Sequence, residues 1–440
     1  MSRLETTHSH TAPSASDDVW RMRFWSVFAG QGISLVGSSV TQFVLLWWIT
    51  DTTGSVTALS LAGLAALLPR ALLGPIGGAA ADRYDRRSLM IAADAISAVC
   101  VIVLMVLFLT GSIEIWHAYL AMAVRSATQA FQTPAAMAST AMLVPVDFIP
   151  RAAGLNQTLF GIILLAAAPL GALALTLMPI GWALTIDVVT ALLGVIPLLV
   201  FRIPQHRPTS RPDLRSDLKE GVGLIWHHRG LRSLFLLMAA ITLVIMPTFT
   251  LVPLLVKEHF GGGVSEVATV EAAAGIGMLI GGGIVAVIAP RSAMLWCLGG
   301  FSLAYATIAL MALAPSDAFW LAVAWWMVGS ILYVVGHAPL TGLLQSKLDN
   351  RIQGRVLSLL MTVEAMAAPV GLALISLLGT VLSVRSLFII MGVMGTAITA
   401  LGFLSRHIRN LETNLAELSP CPCDEQSLSA SDGPKSDGAK

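Results

Sequence analysis

Charged residues are scarce in this sequence: Asp, Glu, Lys and Arg make up 12% of its 440 residues. A soluble protein of this size carries about 25%. Hydrophobic residues make up 56%, the mean hydropathy is +0.80, and long apolar stretches fill most of the chain. Because about 20 mainly apolar residues are enough for a helix to cross a bilayer, the composition predicts an all-α protein whose partner is the lipid bilayer.

Cysteine is also rare, and the four present do not form a disulfide framework. Cys100 and Cys297 lie in apolar runs, whereas Cys421 and Cys423 lie in a polar tail without a third or fourth metal ligand nearby. The chain has no GxxxxGK[ST] phosphate loop, no HExxH motif and no exposed nucleophile elbow. We therefore expect no enzyme, no catalytic residue, no cofactor and no metal site.

Twelve apolar stretches are long enough to span a bilayer. They are 24–49, 55–81, 89–109, 117–144, 153–178, 182–202, 231–256, 265–289, 293–314, 319–344, 356–382 and 386–405. Of the 26 Lys and Arg residues, only Arg70 and Arg125 lie deep inside these spans. If the N-terminus is cytoplasmic, only Lys257 and Arg385 face outside. The positive-inside rule therefore predicts that both termini are cytoplasmic.

The longest break in the apolar pattern divides the chain into two halves. Its apolar residues recur at helical spacing with charges between them, which predicts an interfacial amphipathic helix. The predicted organisation is a cytoplasmic N-terminal tail (1–23), a six-helix half (24–202), a cytoplasmic linker with the amphipathic helix (203–230), a second six-helix half (231–405) and a cytoplasmic, disordered tail (406–440).

The two halves resemble each other in sequence. RAAGLNQTLFGIILLAAAPLGA (151–172) and RIQGRVLSLLMTVEAMAAPVGL (351–372) align without a gap, and both fall on the fifth span of their half. Pro169 with Gly171 matches Pro369 with Gly371. We interpret the halves as copies in a parallel repeat.

A charged loop follows the second span. In GGAAADRYDRRSLM (77–90), Gly78 and the preceding Gly74 form a small-xxx-small step, which predicts that another helix packs closely there. Asp82 follows this helix and can meet the N-terminus of a neighbouring helix. The alternative is a positive-inside loop with incidental acids. Nucleic-acid binding is excluded for so short a loop that carries two acids.

Charged residues inside a membrane are costly and mark a functional site or an ion pair. The spans contain Arg70, Asp94, Arg125, Asp187, Glu271 and Glu364. Asp94 and Asp187 lie near helix ends, where they can reach water or serve a structural role. Arg70 and Glu364 lie at depths that differ by about 3 Å, so we hypothesise that they form an ion pair between the halves.

Two helices carry polar stripes. Gln31, Ser34, Ser38 and Gln42 share one face of the first span, and Arg125, Thr128, Gln129 and Gln132 share one face of the fourth. Such stripes must face protein or a water-filled cavity. The alternative to a cavity is that they hold helices together. A buried acid such as Glu271 or Glu364 can bind and release a proton, whereas His337 is expected to be a hydrogen-bonded core residue.

Here the chain resembles a known family. Gly78-x-x-x-Asp82-Arg83-x-x-Arg86-Arg87 is similar to the signature loop of the major facilitator superfamily, although Asp85 stands where that family usually has glycine. The segments AGQGISLVGSSVTQ (29–42), DTTGS (51–55), DRYDRRSLMIAAD (82–94), RSATQAFQTPA (125–135), IDVV (186–189) and GRVLSL (354–359) resemble the macrolide-efflux-type exporters.

The resemblance implies a major facilitator fold in the bacterial inner membrane. It implies a monomeric secondary exporter of amphiphilic, macrolide-like drugs, which works by alternating access with the proton as coupling ion. It also implies roles for three groups of residues: a conformational gate (Gly78, Asp82, Arg83, Arg86, Arg87), intramembrane charges for proton coupling (Arg70, Asp94, Arg125, Asp187, Glu271, Glu364) and a substrate cavity (Gln31, Ser38, Gln42, Gln129, Gln132). Glu271 is the family-matched proton carrier.

Two alternatives remain open at this point. One is an exporter or flippase dedicated to a single molecule, such as a siderophore or a lysophospholipid. The other is a membrane sensor that binds a ligand without transporting it.

Overall fold

The computed structural model describes residues 15–201, 223, 226, 228–288, 290, 292–348 and 350–409. The amphipathic helix predicted in the linker 203–230 lies largely outside the described residues, as does the tail beyond residue 409. Within the described part of the chain, every regular element is helical.

The twelve long helices are labelled α1 to α12 in chain order. They are α1 (Ala15–Thr53), α2 (Val56–Arg83), α3 (Arg86–Leu109), α4 (Ile115–Leu143), α5 (Ile149–Leu177), α6 (Ile180–Val200), α7 (Arg229–Phe260), α8 (Val264–Ile288), α9 (Ala293–Leu313), α10 (Phe319–Lys347), α11 (Asn350–Leu378) and α12 (Val384–Leu404). A turn at Leu184 divides α6 into Ile180–Ala183 and Thr185–Val200, and a single turn, Arg406–Arg409, follows α12.

These helices confirm the predicted all-α fold. Eleven of them, among the described residues, are long and apolar enough to cross a membrane. The exception is α4, whose Arg125, Gln129 and Gln132 reduce its apolar character although its length is sufficient. Because α4 packs between α2 and α3, its polar side chains face protein, as polar groups at membrane depth must.

The sequence repeat corresponds to a repeated packing contact. A Cβ atom at Gly171 of α5 would lie 2.5 Å from the ring of Phe43 on α1. One at Gly371 of α11 would lie 2.1 Å from the carbonyl oxygen of Leu243 on α7. Both distances leave no room for a side chain, so each glycine allows the fifth helix of its half to pack closely against the first.

The halves meet at one end of the bundle, the end predicted to face outside, which we call the outer end. Thr57 on α2 donates a hydrogen bond to the carbonyl oxygen of Ser376 on α11 at 3.0 Å. A Cβ atom at Gly63 would lie 2.9 Å from the Leu372 side chain, and one at Gly379 would lie 2.3 Å from Val56. Helices α2 and α11 are therefore tightly packed at the outer end.

The same two helices separate towards the opposite end, which is predicted to be cytoplasmic. On α11 the face that carries Leu372 and Ser376 is buried, but its continuation towards residue 350 is exposed. The exposed positions are Ser358, Met361, Thr362 and Ala365. On α2, Arg70 lies two turns from Gly63 on the same face and is exposed. The structure is thus closed at the outer end and open at the predicted cytoplasmic end.

The close helix approach predicted at Gly74 and Gly78 is wrong for this structure. Nothing lies within 4 Å of a Cβ atom built at either position. The tight contact is instead at Gly77, where a Cβ atom would lie 2.0 Å from the carbonyl oxygen of Ala130 on α4. Gly74 and Gly78 point away from α4 because they lie on another face of the helix.

Candidate functional site

The first half contains a buried ion pair between Arg125 on α4 and Asp187 on α6. The two side chains are 6% and 4% exposed. Ser38 on α1 completes the group, because its hydroxyl donates to Asp187 at 3.1 Å and its carbonyl oxygen accepts from Arg125 at 3.2 Å. The pair thus joins three helices, with additional hydrogen bonds of the kind that a buried ion pair requires.

Asp94 on α3 is the centre of a second buried polar group. The amide of Gln132 donates to one carboxylate oxygen at 2.6 Å, and the amide of Gln31 donates to the other at 3.3 Å. Gln132 also donates to the side-chain oxygen of Gln31 at 3.2 Å, and Gln31 donates to the carbonyl oxygen of Gly194 at 3.2 Å. The group links α1, α3, α4 and α6.

These two groups account for most of the predicted polar stripes. Gln31, Ser38 and Gln132 bond to acids within the first half, as the helix-holding alternative expects. Gln42 and Gln129 are half-buried and remain proposed cavity residues. Neither acid lies near water as expected: Asp94 is 4% and Asp187 is 3% exposed, because neighbouring helices cover them.

The second half presents a different arrangement, a partly exposed pair between Glu364 on α11 and His337 on α10. The carboxylate lies 3.8 Å from the imidazole Nε2, and the side chains are 24% and 38% exposed. His337 is therefore not the buried core residue that the sequence suggested. The ion pairs among the described residues do not include Arg70 with Glu364, so that pair stays a prediction for another conformation.

A row of aromatic rings extends from His337 into the second half. The His337 ring stacks on Tyr333 with centroids 5.9 Å apart. Tyr333 contacts the edge of Phe249 at 6.1 Å, and Phe249 contacts Trp326 at 5.3 Å. We call His337, Tyr333, Phe249 and Trp326 the aromatic row. It lines a small cavity, and the buried indole N–H of Trp326 has no hydrogen-bond partner among the described residues.

Glu271, the predicted proton carrier, is half-buried on α8. It precedes Gly275, where a Cβ atom would lie 3.1 Å from the backbone of Leu165 on α5. The acid therefore lies one turn from the place where α8 of the second half packs against α5 of the first, and its proposed coupling role remains a proposal.

The charged loop joins helix ends within the first half. Arg86 donates to the carbonyl oxygen of Ala81 at 3.0 Å and to that of Ala138 at 3.4 Å. Arg87 donates to the carbonyl oxygens of Leu198 and Leu199 at the end of α6. Both arginines thus bind carbonyl groups in the last turns of helices, where the helix dipole favours a cation.

The two acids of this loop have different roles. Asp85 is the N-cap of α3, since its carboxylate accepts from the backbone N–H of Ser88 at 3.0 Å and from its hydroxyl at 2.6 Å. The Asp82 side chain is 52% exposed and lies 3.7 Å from Arg86. Arg83, the remaining predicted gate residue, is exposed beside it. Of the loop acids, Asp82 is therefore the one available to another helix.

An ion pair closes the outer end. Lys257 at the end of α7 donates to the Asp51 carboxylate at 2.8 Å and to the Asp51 carbonyl oxygen at 2.7 Å near the end of α1. It therefore links the two halves directly. The other outer cation, Arg385, donates to the carbonyl oxygen of Ala312 at 2.9 Å within the second half.

Twelve membrane-length helices in two related halves, open at one end, define a polytopic membrane transporter. A family model, the Major Facilitator Superfamily, matches residues 27–371. The chain belongs to the major facilitator superfamily. Its family and fold are those of a transporter rather than an enzyme, and the same findings place it in the bacterial inner membrane as a multi-pass protein.

Individual relatives confirm the resemblance to macrolide-efflux-type proteins. Macrolide efflux protein A of Streptococcus pyogenes is 28% identical over 89% of this chain and 98% of its own length. The multidrug efflux pump Tap of Mycobacterium bovis is 24% identical over 79% of this chain and 83% of its own. The crystal structure of a bacterial homologue of the human lysosomal transporter Spinster, inward-facing and unoccupied, superimposes with a TM-score of 0.65. It covers 91% of this chain and 99% of its own at 14% identity, which supports the fold alone.

Proposed function

We propose that this protein exports amphiphilic drug-like molecules, including macrolide-like compounds, by alternating access coupled to proton entry. The observation that carries the proposal is the opening between the halves at the predicted cytoplasmic end, with the Glu364–His337 pair partly exposed between them. The names of the full-length relatives supply the substrate class.

Alternating access requires that the closed outer end opens while the opposite end closes. In this structure Lys257–Asp51 and the α2–α11 contacts hold the outer end closed. Closure of the other end would bring the start of α11 towards the exposed Asp82. There the carboxylate would meet backbone N–H groups at a helix N-terminus, which favours a negative charge. Asp82 is thus the proposed gate residue, while Arg86 and Arg87 hold it in position.

The same closure would bring Arg70 towards Glu364. Both side chains are accessible in the open structure, and α2 and α11 are already in contact at the outer end. We propose that Glu364 exchanges His337 for Arg70 when the cytoplasmic end closes. A charge-swapped variant, Arg70→Glu with Glu364→Arg, should then recover transport that each single variant loses.

Proton coupling needs an acid that releases its proton in one conformation only. Glu271 and Glu364 are the proposed carriers, because both lie in the second half near its boundary with the first. Asp187 is a weaker candidate because Arg125 already compensates its charge. Asp94, which is bonded to two amides, remains a candidate.

The deciding experiment uses inverted membrane vesicles with an imposed pH gradient. Gradient-driven uptake of several unrelated amphiphilic compounds, among them a macrolide, is the expected result. Uptake of a single siderophore or lysophospholipid would replace the proposal with a dedicated exporter or flippase. Binding without uptake would replace it with a sensor.

A further inference from the structure

The carboxylate of Glu364 is the one intramembrane acid of this protein, among the described residues, that pairs with a partly exposed histidine. Its 3.8 Å separation from His337 Nε2 exceeds the length of a hydrogen bond. A carboxylate at this depth is costly unless a positive group compensates it. Glu364 therefore has a weakly held partner that another cation can replace.

The surroundings of Glu364 suit an organic cation. His337 stacks on Tyr333, and the side chain of Tyr333 interacts electrostatically with the Glu364 carboxylate. Faces of aromatic rings attract positive charge, and this attraction strengthens when water is excluded. The carboxylate and the rings thus favour the same type of ligand group.

The aromatic row also provides apolar surface beside the charge. Phe249 and Trp326 continue it into the cavity, which Ile245 and Ile308 also line. The buried N–H of Trp326 lacks an acceptor there, and an ether, hydroxyl or carbonyl oxygen of a ligand would supply one. An apolar group with an oxygen acceptor fits this end, whereas the carboxylate lies at the other.

We propose that Glu364, His337 and the aromatic row form a binding site for amphiphilic monocations. The cationic group takes the place of His337 beside the Glu364 carboxylate, and the apolar part lies along the aromatic row. This inference rests on the proposed export function and specifies its substrate class. Anionic amphiphiles are excluded, because Glu364 would repel them.

The acids of the first half cannot serve the same purpose. Asp187 is neutralised by Arg125, and Asp94 accepts hydrogen bonds from both Gln31 and Gln132. Both are almost completely buried. A cation would have to break these contacts and enter a closed part of the protein.

The test measures binding of tritiated tetraphenylphosphonium to the purified full-length protein in detergent. Triphenylphosphine oxide, a neutral compound with similar rings, is measured by the shift in melting temperature that it causes. Glu364→Gln should weaken binding of the cation at least about tenfold and leave the shift caused by the neutral compound unchanged. Glu364→Asp should retain most of the affinity for the cation.

Two controls separate binding from folding. Asp317→Asn removes an exposed acid in the loop between α9 and α10 and should leave both measurements unchanged. The melting temperature of each variant without ligand shows whether it is folded. If Glu364→Gln binds the cation as the wild type does, or loses both compounds equally while folded, the proposed site is wrong.

Transport in vesicles separates this inference from the export function. Cation binding that requires Glu364, without any gradient-driven uptake, would overturn export and leave the site standing. Uptake that persists with unchanged cation affinity in Glu364→Gln would overturn the site and leave export standing.

Discussion

The interiors of the two halves differ although their helices follow the same plan. The first half holds its charges inside: Arg125 with Asp187, and Asp94 with two glutamines, all almost completely buried. The interior of the second half is apolar and aromatic. Its large buried residues include Tyr305, Phe301 and Phe388. The charged pair of the second half, His337 with Glu364, lies partly exposed instead.

This difference separates what determines the fold from what determines the chemistry. Matching glycines, Gly171 and Gly371, make the same helix contact in each half. The side chains around these contacts share little. Close backbone packing therefore sets the common architecture, whereas the interior polar groups give the first half a fixed network and leave the second half with an aromatic surface suited to varied ligands.

The largest expected effect comes from breaking the buried pair of the first half. Arg125→Met leaves the Asp187 carboxylate buried without compensation, which costs about 3–5 kcal/mol. The melting temperature of the purified protein should fall sharply. Replacing both partners, Arg125→Met with Asp187→Leu, should recover much of the loss because no isolated charge remains.

The matched change in the second half is Glu364→Gln, which should alter the melting temperature little. Its pair is partly exposed, and such pairs contribute about 0–1 kcal/mol. Equal losses of stability for Arg125→Met and Glu364→Gln would contradict the contrast between a fixed and an accessible pair.

The second prediction concerns backbone packing in the second half. A Cβ atom at Gly300 of α9 would lie 2.6 Å from the backbone nitrogen of Gly336 on α10. Gly300→Val forces these helices apart and should destabilise the protein by about 1–3 kcal/mol. The adjacent Gly299 has nothing within 4 Å, so Gly299→Val is the control and should be nearly neutral. Similar melting temperatures for the two variants would show that this close contact does not matter.

Hydropathy was sufficient to predict the long helices because a bilayer admits few alternatives. It located even the less apolar α4, predicted at 117–144 and found at Ile115–Leu143. The partners of the charged residues were harder to predict. Arg125 and Asp187 both stood out in the sequence, yet nothing in their spacing showed that α4 and α6 bring them together.

Depth in the membrane was a poor guide to the partner of Glu364. Counting residues placed Arg70 at a similar depth, but this count contains no information on helix rotation or on the separation of the halves. The structure places His337 beside Glu364 and leaves Arg70 in the opening. Comparing Glu364 with polar residues on the adjacent span α10 would have suggested His337, because α10 and α11 are consecutive in the chain.

The third prediction explains Asp85, which stands where the family usually has glycine. It caps α3, whereas Ser292 at the equivalent position before α9 makes no capping hydrogen bond through its side chain. Asp85→Ala should destabilise the protein by about 1 kcal/mol and Asp85→Gly by a few tenths. Ser292→Ala should have almost no effect on the melting temperature. If Asp85→Ala is equally neutral, the capping bond does not contribute to stability.

The smallest expected effect concerns the contact that closes the outer end. Lys257 and Arg385 are the two cations predicted there, but only Lys257 bonds to the other half. An exposed pair of this kind contributes about 0.2–1 kcal/mol, so Lys257→Gln should raise the population of the outer-open conformation by up to about fivefold. Spin labels at Ser112 and Asp317, in a background without native cysteines, report the distance between outer loops of the two halves. Arg385→Gln should leave this distance distribution unchanged, because its hydrogen bond lies within the second half. If both variants shift the distribution equally, general loss of positive charge and not the bond between the halves controls the outer end.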